Sequence, residues 1–509
     1  VNRPARSYIT TAIDYANGAP HMGHAFEKIG ADAMARYRRL KGENVHFVMG
    51  MDEHGLKVMQ SAEAAGITPQ EWVDRIAAEF ETMWKALHIS NDDFIRTTED
   101  RHIRGAIELI RRIAKSDAFY RGRYEGWYCV GCESFKREDE LTTDQAGQRR
   151  CMIHLTREVT WSEENNWFFR LSQYNERLLR FYDERPQFVQ PESRYNEIRR
   201  LVEAGLEDIS VSRSIPWGIP WPDDPSQTVW VWIEALINYI TATGYPQPGW
   251  QEYWPAAWHV IGKDITRFHC VIWPAMLMAA HIEPPQAVWA HGFFTFAGRK
   301  LSKSEGVRIE LADAVARFGP DAFRYYILRD VPWNDDGEFS WERFESRYNA
   351  DLADDLGNLL NRTVSMIDRY RGGVIPAGER TWLDDEMAAA VQRYTQSMDS
   401  NVLSAGAAAA MDLAVAANGF IEARAPWSQA KDPVQGPALD ATLASLVRTL
   451  VATAAMLEPF MPVKTRELVA RFGMDRLPAF DDVRNFDPAG RPTTSGPVLF
   501  PKERVAKPA

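Results

Sequence analysis

The stretch Tyr8-Ile9-Thr10-Thr11-Ala12-Ile13-Asp14-Tyr15-Ala16-Asn17-Gly18-Ala19-Pro20-His21-Met22-Gly23-His24 decides how the rest of the chain is read. It opens with β-branched and aromatic residues, breaks at Asn17-Gly18, and resumes at Pro20 with apolar residues at helical spacing to about Lys41. This predicts strand, turn and helix. Pro20 suits the first turn of a helix, where its missing N–H costs nothing, and the free N–H groups there attract phosphate. His21 and His24 lie three apart, so both imidazoles project from one face of that turn. Gly23 between them leaves room for a flat ring or a ribose against the backbone. The same two histidines would also serve as cap or surface residues, and spacing alone leaves both readings open.

A second stretch, Arg299-Lys300-Leu301-Ser302-Lys303-Ser304, lies between Gly298 and Gly306 and places two lysines and two hydroxyls on a loop free to move. Taken with His21-Met22-Gly23-His24, it resembles the paired HIGH and KMSKS signatures of class I aminoacyl-tRNA synthetases. The flanking residues resemble the methionyl family. Met22 and Leu301 depart from the consensus as apolar-for-apolar exchanges.

The chain has 509 residues, too many for one core, so roughly three or four units are expected. No run of about 18 apolar residues suggests a membrane span. The basic start, Val1 to Arg6, runs straight into the first strand without an apolar segment. With four cysteines, too few for a disulfide framework, this leads to the expectation of a cytoplasmic protein. A net charge of −11 opposes nucleic-acid binding by bulk attraction, so a tRNA partner needs a local basic surface.

Onward from the first helix, Val45 to Met51 reads as a buried strand ending at Asp52-Glu53-His54-Gly55. A carboxylate there sits where open α/β sheets contact ligands, or else caps the helix from about Leu56. Helical patterns at 69–88 and 100–116 complete a first half, residues 1–117. From about Ala118 the character changes. Cys129-Val130-Gly131-Cys132 is followed, eighteen residues later, by Cys151-Met152-Ile153-His154. Two x2 hairpins at this separation are a structural zinc pattern: four protein ligands, one ion, no open position. Cys270 stands alone in an apolar context and reads as core.

Residues 118–214 therefore form an insert, which resembles the connective peptide with one zinc knuckle of a bacterial group of methionyl enzymes. A second half follows at 215–298. In it Val229 to Tyr239 joins a strand to a helix, His259 to Asp264 ends a strand in Gly262 and Asp264, and Ala290 to Phe296 is the last core strand. Residues 299–340 hold the lysine loop and a stem-contact region. From 341 to 475 apolar residues recur every three to four, which describes an antiparallel helical bundle, and 476–509 is a Pro-rich, mobile tail. The fold class is thus α/β, a Rossmann-type doubly wound parallel sheet with a zinc-containing insert, followed by an all-α bundle.

The resemblance implies a ligase that activates methionine with ATP and transfers it to the 3′ end of its tRNA. It implies catalysis by His21, His24, Lys300 and Lys303, with Gly23, Gly262, Asp264 and Ser302 also on ATP, accompanied by Mg2+. It implies a methionine pocket of Ala12, Ile13, Tyr15, Asp52, Trp232, Ala235, Leu236, Tyr239, Ile265, His269 and Trp273, with Asp52 on the ammonium. Asn358, Arg362 and Trp427 match residues that read the anticodon. Expected partners are methionine, ATP and the initiator and elongator tRNAs for methionine, bound by a monomer. A cysteinyl enzyme would keep its zinc in the active site, a nucleotidyltransferase has no use for the bundle, and a tRNA-binding paralogue would lose the histidines or lysines.

Overall fold

In this computed structural model, residues 5–131, 134–136, 138–144, 147–153, 155, 159–296, 299–300 and 311–502 are described, with backbone alone at Ser134, Phe296, Arg299 and Lys300. Cys132, His154, Ser302 and Lys303, and the side chain of Lys300, lie outside the described set.

β1 (Arg6–Thr11) and the short β2 (Asp14–Tyr15) lead into α1 (Met22–Leu40) and β3 (Asn44–Asp52). Then come α2 (Leu56–Ala65), α3 (Pro69–Ala86), β4 (Asp93–Arg96) and α4 (Asp100–Ala114). Local signals explain the helix ends. Thr68 and Glu71 form a reciprocal capping box around Pro69 at the start of α3. Gly66 closes α2 in the left-handed conformation. Pro20, expected inside α1, lies just outside it: His21 is the N-cap and Met22 the first helical residue.

The next region is a ribbon. β5 (Phe119–Cys129) pairs antiparallel with β9 (Thr160–Phe169) from Phe119↔Phe169 to Tyr128↔Thr160. β6 (Ser134–Lys136) flanks β5, and β7 (Leu141–Thr143) pairs with β8 (Arg149–Cys151). After α5 (Asn175–Glu184), β10 (Val189–Gln190) joins the parallel sheet beside a later strand, so part of the stretch expected as an insert builds the catalytic sheet. α6 (Glu192–Glu203) and β11 (Ile209–Ser210) return the chain.

β12 (Ser212–Arg213), β13 (Pro220–Trp221) and β14 (Asp224–Val229) form a small sheet leading to α7 (Val231–Thr241). β15 (Ala257–Gly262) passes through a π-helical segment, Arg267–Ile272, into α8 (Trp273–Ala279), and β16 (Ala287–His291) follows. The parallel sheet runs β10-β16-β15-β1-β3, with β4 on the far side of β3 and β2 extending the pairing of β1 along β3. Strand order reverses between β1 and β15, and at such a switch point the carboxyl ends open a ligand crevice.

The stretch 290–296, expected as one strand, is two. β17 (Phe294–Phe296) leaves the parallel sheet and pairs with β18 (Arg299–Lys300) and, later, β19 (Gly337–Glu338). The break falls at Gly292, where a Cβ would lie 2.0 Å from the Asp335 carbonyl oxygen, so the loop at 335 crosses directly over the backbone. Between them α9 (Leu311–Phe318) and α10 (Pro320–Asp330) are parted at Gly319, φ 82°.

The bundle comprises α11 (Trp341–Arg347), α12 (Asn358–Arg371), α13 (Trp382–Asp399), α14 (Leu403–Arg424), α15 (Pro426–Gln429), α16 (Gly436–Leu457) and α17 (Pro462–Ala470). A second π-helical segment, Tyr348–Gly357, links the first two. By length and mean composition the stretches 403–429 and 433–457 could cross a membrane, but neither is an unbroken apolar run, and α16 is nearly wholly buried at the centre of the bundle. The segment after 475, expected as a mobile tail, packs instead: Phe480, Val483, Leu499 and Phe500 are buried in the same core. That core continues without interruption from the bundle through α10 and α1 to one face of the sheet, while a second covers the other face with α4, α7 and α8.

Candidate functional site

At the carboxyl ends of β1, β2 and β3 the structure opens a cavity of about 200 Å³. Ala12, Ile13, Tyr15, Asp52, Trp232, Ala235, Leu236, Tyr239, Ile265 and His269 line it, together with Lys57, Gly131 and Val231. Ten of the eleven residues assigned to an amino-acid pocket thus meet in one place. Trp273 is the exception. It is fully buried behind Tyr239, ring centroids 6.3 Å apart, and its indole N–H donates to His259 Nε2 at 3.3 Å.

The walls are fixed by contacts behind them. Tyr239 Oη lies 2.6 Å from His269 Nε2, and His269 Nδ1 lies 3.0 Å from the Ile265 carbonyl. The carbonyl can only accept, so Nδ1 carries the proton and Nε2 accepts from the tyrosine. Burial pushes the His269 pKa down to about 4, so the ring is neutral. Trp232 stacks on Phe268, centroids 4.4 Å apart, and Tyr239 on His259 at 4.1 Å. Asp52, the last residue of β3, is buried and lines the cavity; the N-cap of α2 is Gly55, so Asp52 does not cap that helix. Two residues on, His54 Nδ1 meets Glu234 Oε1 at 2.6 Å, locking the end of β3 to α7.

Beneath the cavity lies a buried charge network. Lys28 Nζ reaches the Ala12 carbonyl (2.7 Å), Asp14 (2.8 Å) and Glu27 (2.7 Å), and Glu27 Oε2 reaches His291 Nε2 at 3.1 Å. Burial pushes the Asp14 carboxyl up to about 7 against the pull of the Lys28 ammonium.

Beside the cavity, α1 begins. His21 Nδ1 accepts from the Gly23 N–H (3.1 Å), and His24 Nδ1 accepts from the His21 N–H (3.3 Å), a capping box built from two imidazoles. The rings stack with centroids 3.6 Å apart and 20° between planes. Because both Nδ1 atoms accept, each neutral ring carries its proton on Nε2. A Cβ at Gly23 would sit 3.1 Å from the His21 ring, so glycine preserves the stack. At the end of β15, a Cβ on Gly262 would lie 2.8 Å from Asp264 Oδ1, so the exposed carboxylate folds over bare backbone. Lys300 pairs with Thr295 on the hairpin leading away from β16.

Two further groups were assigned from sequence. Cys129 and Cys151, at the ends of β5 and β8, are both fully buried in one small cluster with Leu141 and Val159, against Trp127. Their expected companions Cys132 and His154 fall outside the described residues. The two thiols share one apolar cluster, and among the described residues no group of three or more His, Cys, Asp or Glu could hold a metal ion. In the bundle, Asn358 and Arg362 lie one turn apart on α12, and Arg362 Nη2 reaches Glu422 Oε1 on α14 at 2.6 Å. Just beyond, Ala425 (φ 45°) turns the chain into α15, which leaves Trp427 40% exposed.

Sequence reasoning did not assign Lys57, Gly131, Val231, Lys28 or His54. The adjacent charges Glu27-Lys28, set between Phe26 and Ile29 in the second turn of α1, were the available signal for the buried network.

Residues 7–364 match the family described as tRNA synthetases class I (M), and residues 371–504 the anticodon binding domain of methionyl tRNA ligase. The chain is 41% identical over 520 residues to a methionine–tRNA ligase of Streptomyces coelicolor, covering 97% of this chain and 96% of that protein. It is 40% identical over 508 residues to one from Thermotoga maritima, covering 97% and 80%. The fold matches Mycobacterium tuberculosis methionyl-tRNA synthetase in complex with methionyl-adenylate at TM-score 0.93, with 37% identity and coverage of 98% and 100%. It matches the apo form at 0.88, with 34% identity and coverage of 99% and 99%.

Proposed function

The chain belongs to the methionine–tRNA ligase family of class I aminoacyl-tRNA synthetases, and we propose that the cavity at the ends of β1 and β3 is its methionine site and the start of α1 its phosphate site. The enzyme activates methionine with ATP to methionyl-adenylate and pyrophosphate, then passes the methionyl group to the 3′ end of tRNA. The observation that carries the assignment of sites is the convergence of ten expected residues, with a buried carboxylate among aromatic and aliphatic walls, beside two stacked imidazoles.

The first step needs little acid or base, since the methionine carboxylate is already a nucleophile. It needs alignment and charge stabilisation on the α-phosphate and leaving pyrophosphate. Asp52 accepts from the substrate ammonium, and Trp232, Leu236 and Tyr239 pack the flexible thioether, whose sulfur is favourable against ring edges. His21 and His24 would donate from Nε2 to phosphate oxygens, and Lys300, Ser302 and Lys303, by their resemblance to the family's lysine motif, would add further donors to the phosphates. Gly262 and Asp264 receive the ribose, as an acid does at the strand ends of nucleotide-binding sheets. Mg2+, bound with ATP, would neutralise part of the phosphate charge. Transfer requires the tRNA, and Asn358, Arg362 and Trp427 would hold its anticodon by stacking and edge hydrogen bonds.

Cys129, Cys132, Cys151 and His154 would hold one Zn2+, which stabilises the fold of the ribbon's tip. The enzyme acts in the cytoplasm as a monomer, with the initiator and elongator methionine tRNAs as partners. Amino-acid-dependent exchange of pyrophosphate into ATP, without tRNA, tests the site assignment. Rapid exchange with methionine alone is expected; exchange driven by another amino acid would overturn the pocket.

A further inference from the structure

Among the described residues that line the cavity, Asp52 is the one carboxylate and Lys57 the one ammonium. Lys57 stands in the first turn of α2. Its Nζ donates to the Gly131 carbonyl at 3.1 Å and lies 5.6 Å from the centre of the Tyr15 ring. All three residues belong to the cavity wall. Lys57 is thus a bridge: it joins the catalytic body to the far end of the β5 ribbon, across a surface that the substrate would touch.

The two ends of this bridge differ in stiffness. On the side of α2, the preceding segment is held by His54–Glu234 (2.6 Å), by Glu53–Arg96 (2.6 Å) and by the Glu53 N–H to Thr97 Oγ1 (2.9 Å). On the other side, Gly131 lies past the last β5–β9 pair, Tyr128↔Thr160, and twelve residues from the root of the ribbon at Phe119, up to about 40 Å of extended chain. β9 pairs with β5 as far as Tyr128↔Thr160 and β6 as far as Cys129↔Ser134, and Gly131 lies in the turn beyond both ladders, so its position depends on what it touches.

We propose that Lys57 is a positioning residue for the amino-acid substrate: by holding Gly131 against the cavity it makes the tip of the ribbon a wall of the methionine site. This rests on reading the cavity as the methionine site. The role is separate from chemistry on phosphate, which lies at α1, so its loss weakens amino-acid binding and leaves ATP binding alone.

The test compares the parent protein with Lys57→Met, which keeps chain length without a donor, and Lys57→Arg, which keeps the donor. Losing a charge-assisted hydrogen bond, part of whose strength reaches the substrate, is expected to raise the methionine KM in pyrophosphate exchange, and the methionine Kd from tryptophan fluorescence, about tenfold. ATP KM should not move, and Lys57→Arg should restore most of the loss. Amide hydrogen exchange at 127–131, measured without substrate, should be faster in Lys57→Met, a change that loss of a direct substrate contact would not cause. Unchanged methionine KM and unchanged exchange at 127–131 overturn the proposal. So does a fall in kcat with a raised ATP KM and unaltered methionine binding. Failure of the cavity assignment shows separately, as absence of methionine-dependent exchange in the parent protein.

Discussion

Replacing Arg324 by methionine should loosen the joint between the catalytic body and the bundle. Arg324 on α10 and Asp32 on α1 are both fully buried and meet at 2.6 Å. The same guanidinium donates to the carbonyls of Leu87 (3.1 Å), Pro459 (2.7 Å) and Phe460 (3.1 Å), so one side chain ties together α1, α3, α10 and the corner between α16 and α17. Breaking a buried pair from one side costs about 3–5 kcal/mol. Three carbonyls also lose their donor, which adds cost, while Asp32 keeps Arg36 (2.8 Å) and the Ser90 N–H (2.7 Å), which offsets it. A net loss of about 3–5 kcal/mol lowers the first thermal transition by about 6–20 °C, at roughly 2–4 °C per kcal/mol for a unit of this size. Calorimetry reads the shift, and an Asp32→Asn, Arg324→Met double variant less destabilised than the sum of the singles confirms the coupling. A shift below about 2 °C would refute the reasoning. The pair also fixes an acid limb. Burial alone would raise the Asp32 pKa, but Arg324, Arg36 and Ser90 outweigh it and hold it below the usual range. Its contribution is therefore complete above the unfolded pKa, about 4, and is lost as pH falls through the lower folded value. Asp32→Asn should flatten stability against pH in that acid window.

His24→Gln keeps the capping box, since glutamine serves at that position, but removes the Nε2 donor. Thermal unfolding should hold while kcat for pyrophosphate exchange falls about 10²–10³-fold. Asp14 holds its proton more tightly folded than unfolded, so it stabilises below about pH 4 and loses that contribution as pH rises to about 7. Urea midpoints of Asp14→Asn should therefore gain on the parent across that window, and parallel curves would count against the buried assignment. Trp427→Ala should weaken tRNA binding by about 1–3 kcal/mol, the usual worth of one stacked base, without altering exchange. Homocysteine lacks one methyl, which an apolar cavity rejects only about 10–200-fold; ATP consumption driven by homocysteine is expected, and its absence would argue against correction within the synthetic site.

The parallel sheet was legible because its strands are buried on both faces and read as short apolar runs between helical patterns, and because Asn17-Gly18 and Gly55 mark turns at strand ends. What escaped depended on contacts remote in sequence. Nothing around Gly292 says that the loop at Asp335 will cross it and split one apolar run between two sheets. The π-helical segments at 267–272 and 348–357 have ordinary helical patterns, and only packing decides which carbonyl each N–H meets. The C-terminal segment looked mobile from its prolines, yet a few apolar residues, Phe480, Val483, Leu499 and Phe500, suffice to bind it to the bundle. The cavity residues were picked out by resemblance, since aromatic stripes on a buried helix look alike whether or not they face a ligand. Lys57 was missed because its partner, Gly131, lies on the ribbon 74 residues away.

α1 connects these observations. Its first turn carries the stacked histidines, its second holds Lys28 against the Ala12 carbonyl under the cavity, and its third and fourth carry Asp32 and Arg36, which meet Arg324 and, at 2.9 Å, Glu458 at the corner of the bundle. From His24 to Arg36 is about 18 Å at 1.5 Å per residue, all within one buried helix. A helix packed on every side moves as a body or not at all. A shift of the corner at Glu458 to Phe460 on tRNA binding to the bundle would therefore have a direct route to the stacked histidines, the proposed phosphate site. Other cavity walls stand on separate elements: Tyr239 on α7, His269 on the π-helical segment and Asp52 at the end of β3. Strain entering from the bundle should consequently reach the cavity wall through Lys28 at Ala12 and the stacked histidines at the start of the helix, so changes at this joint should alter turnover and methionine KM together.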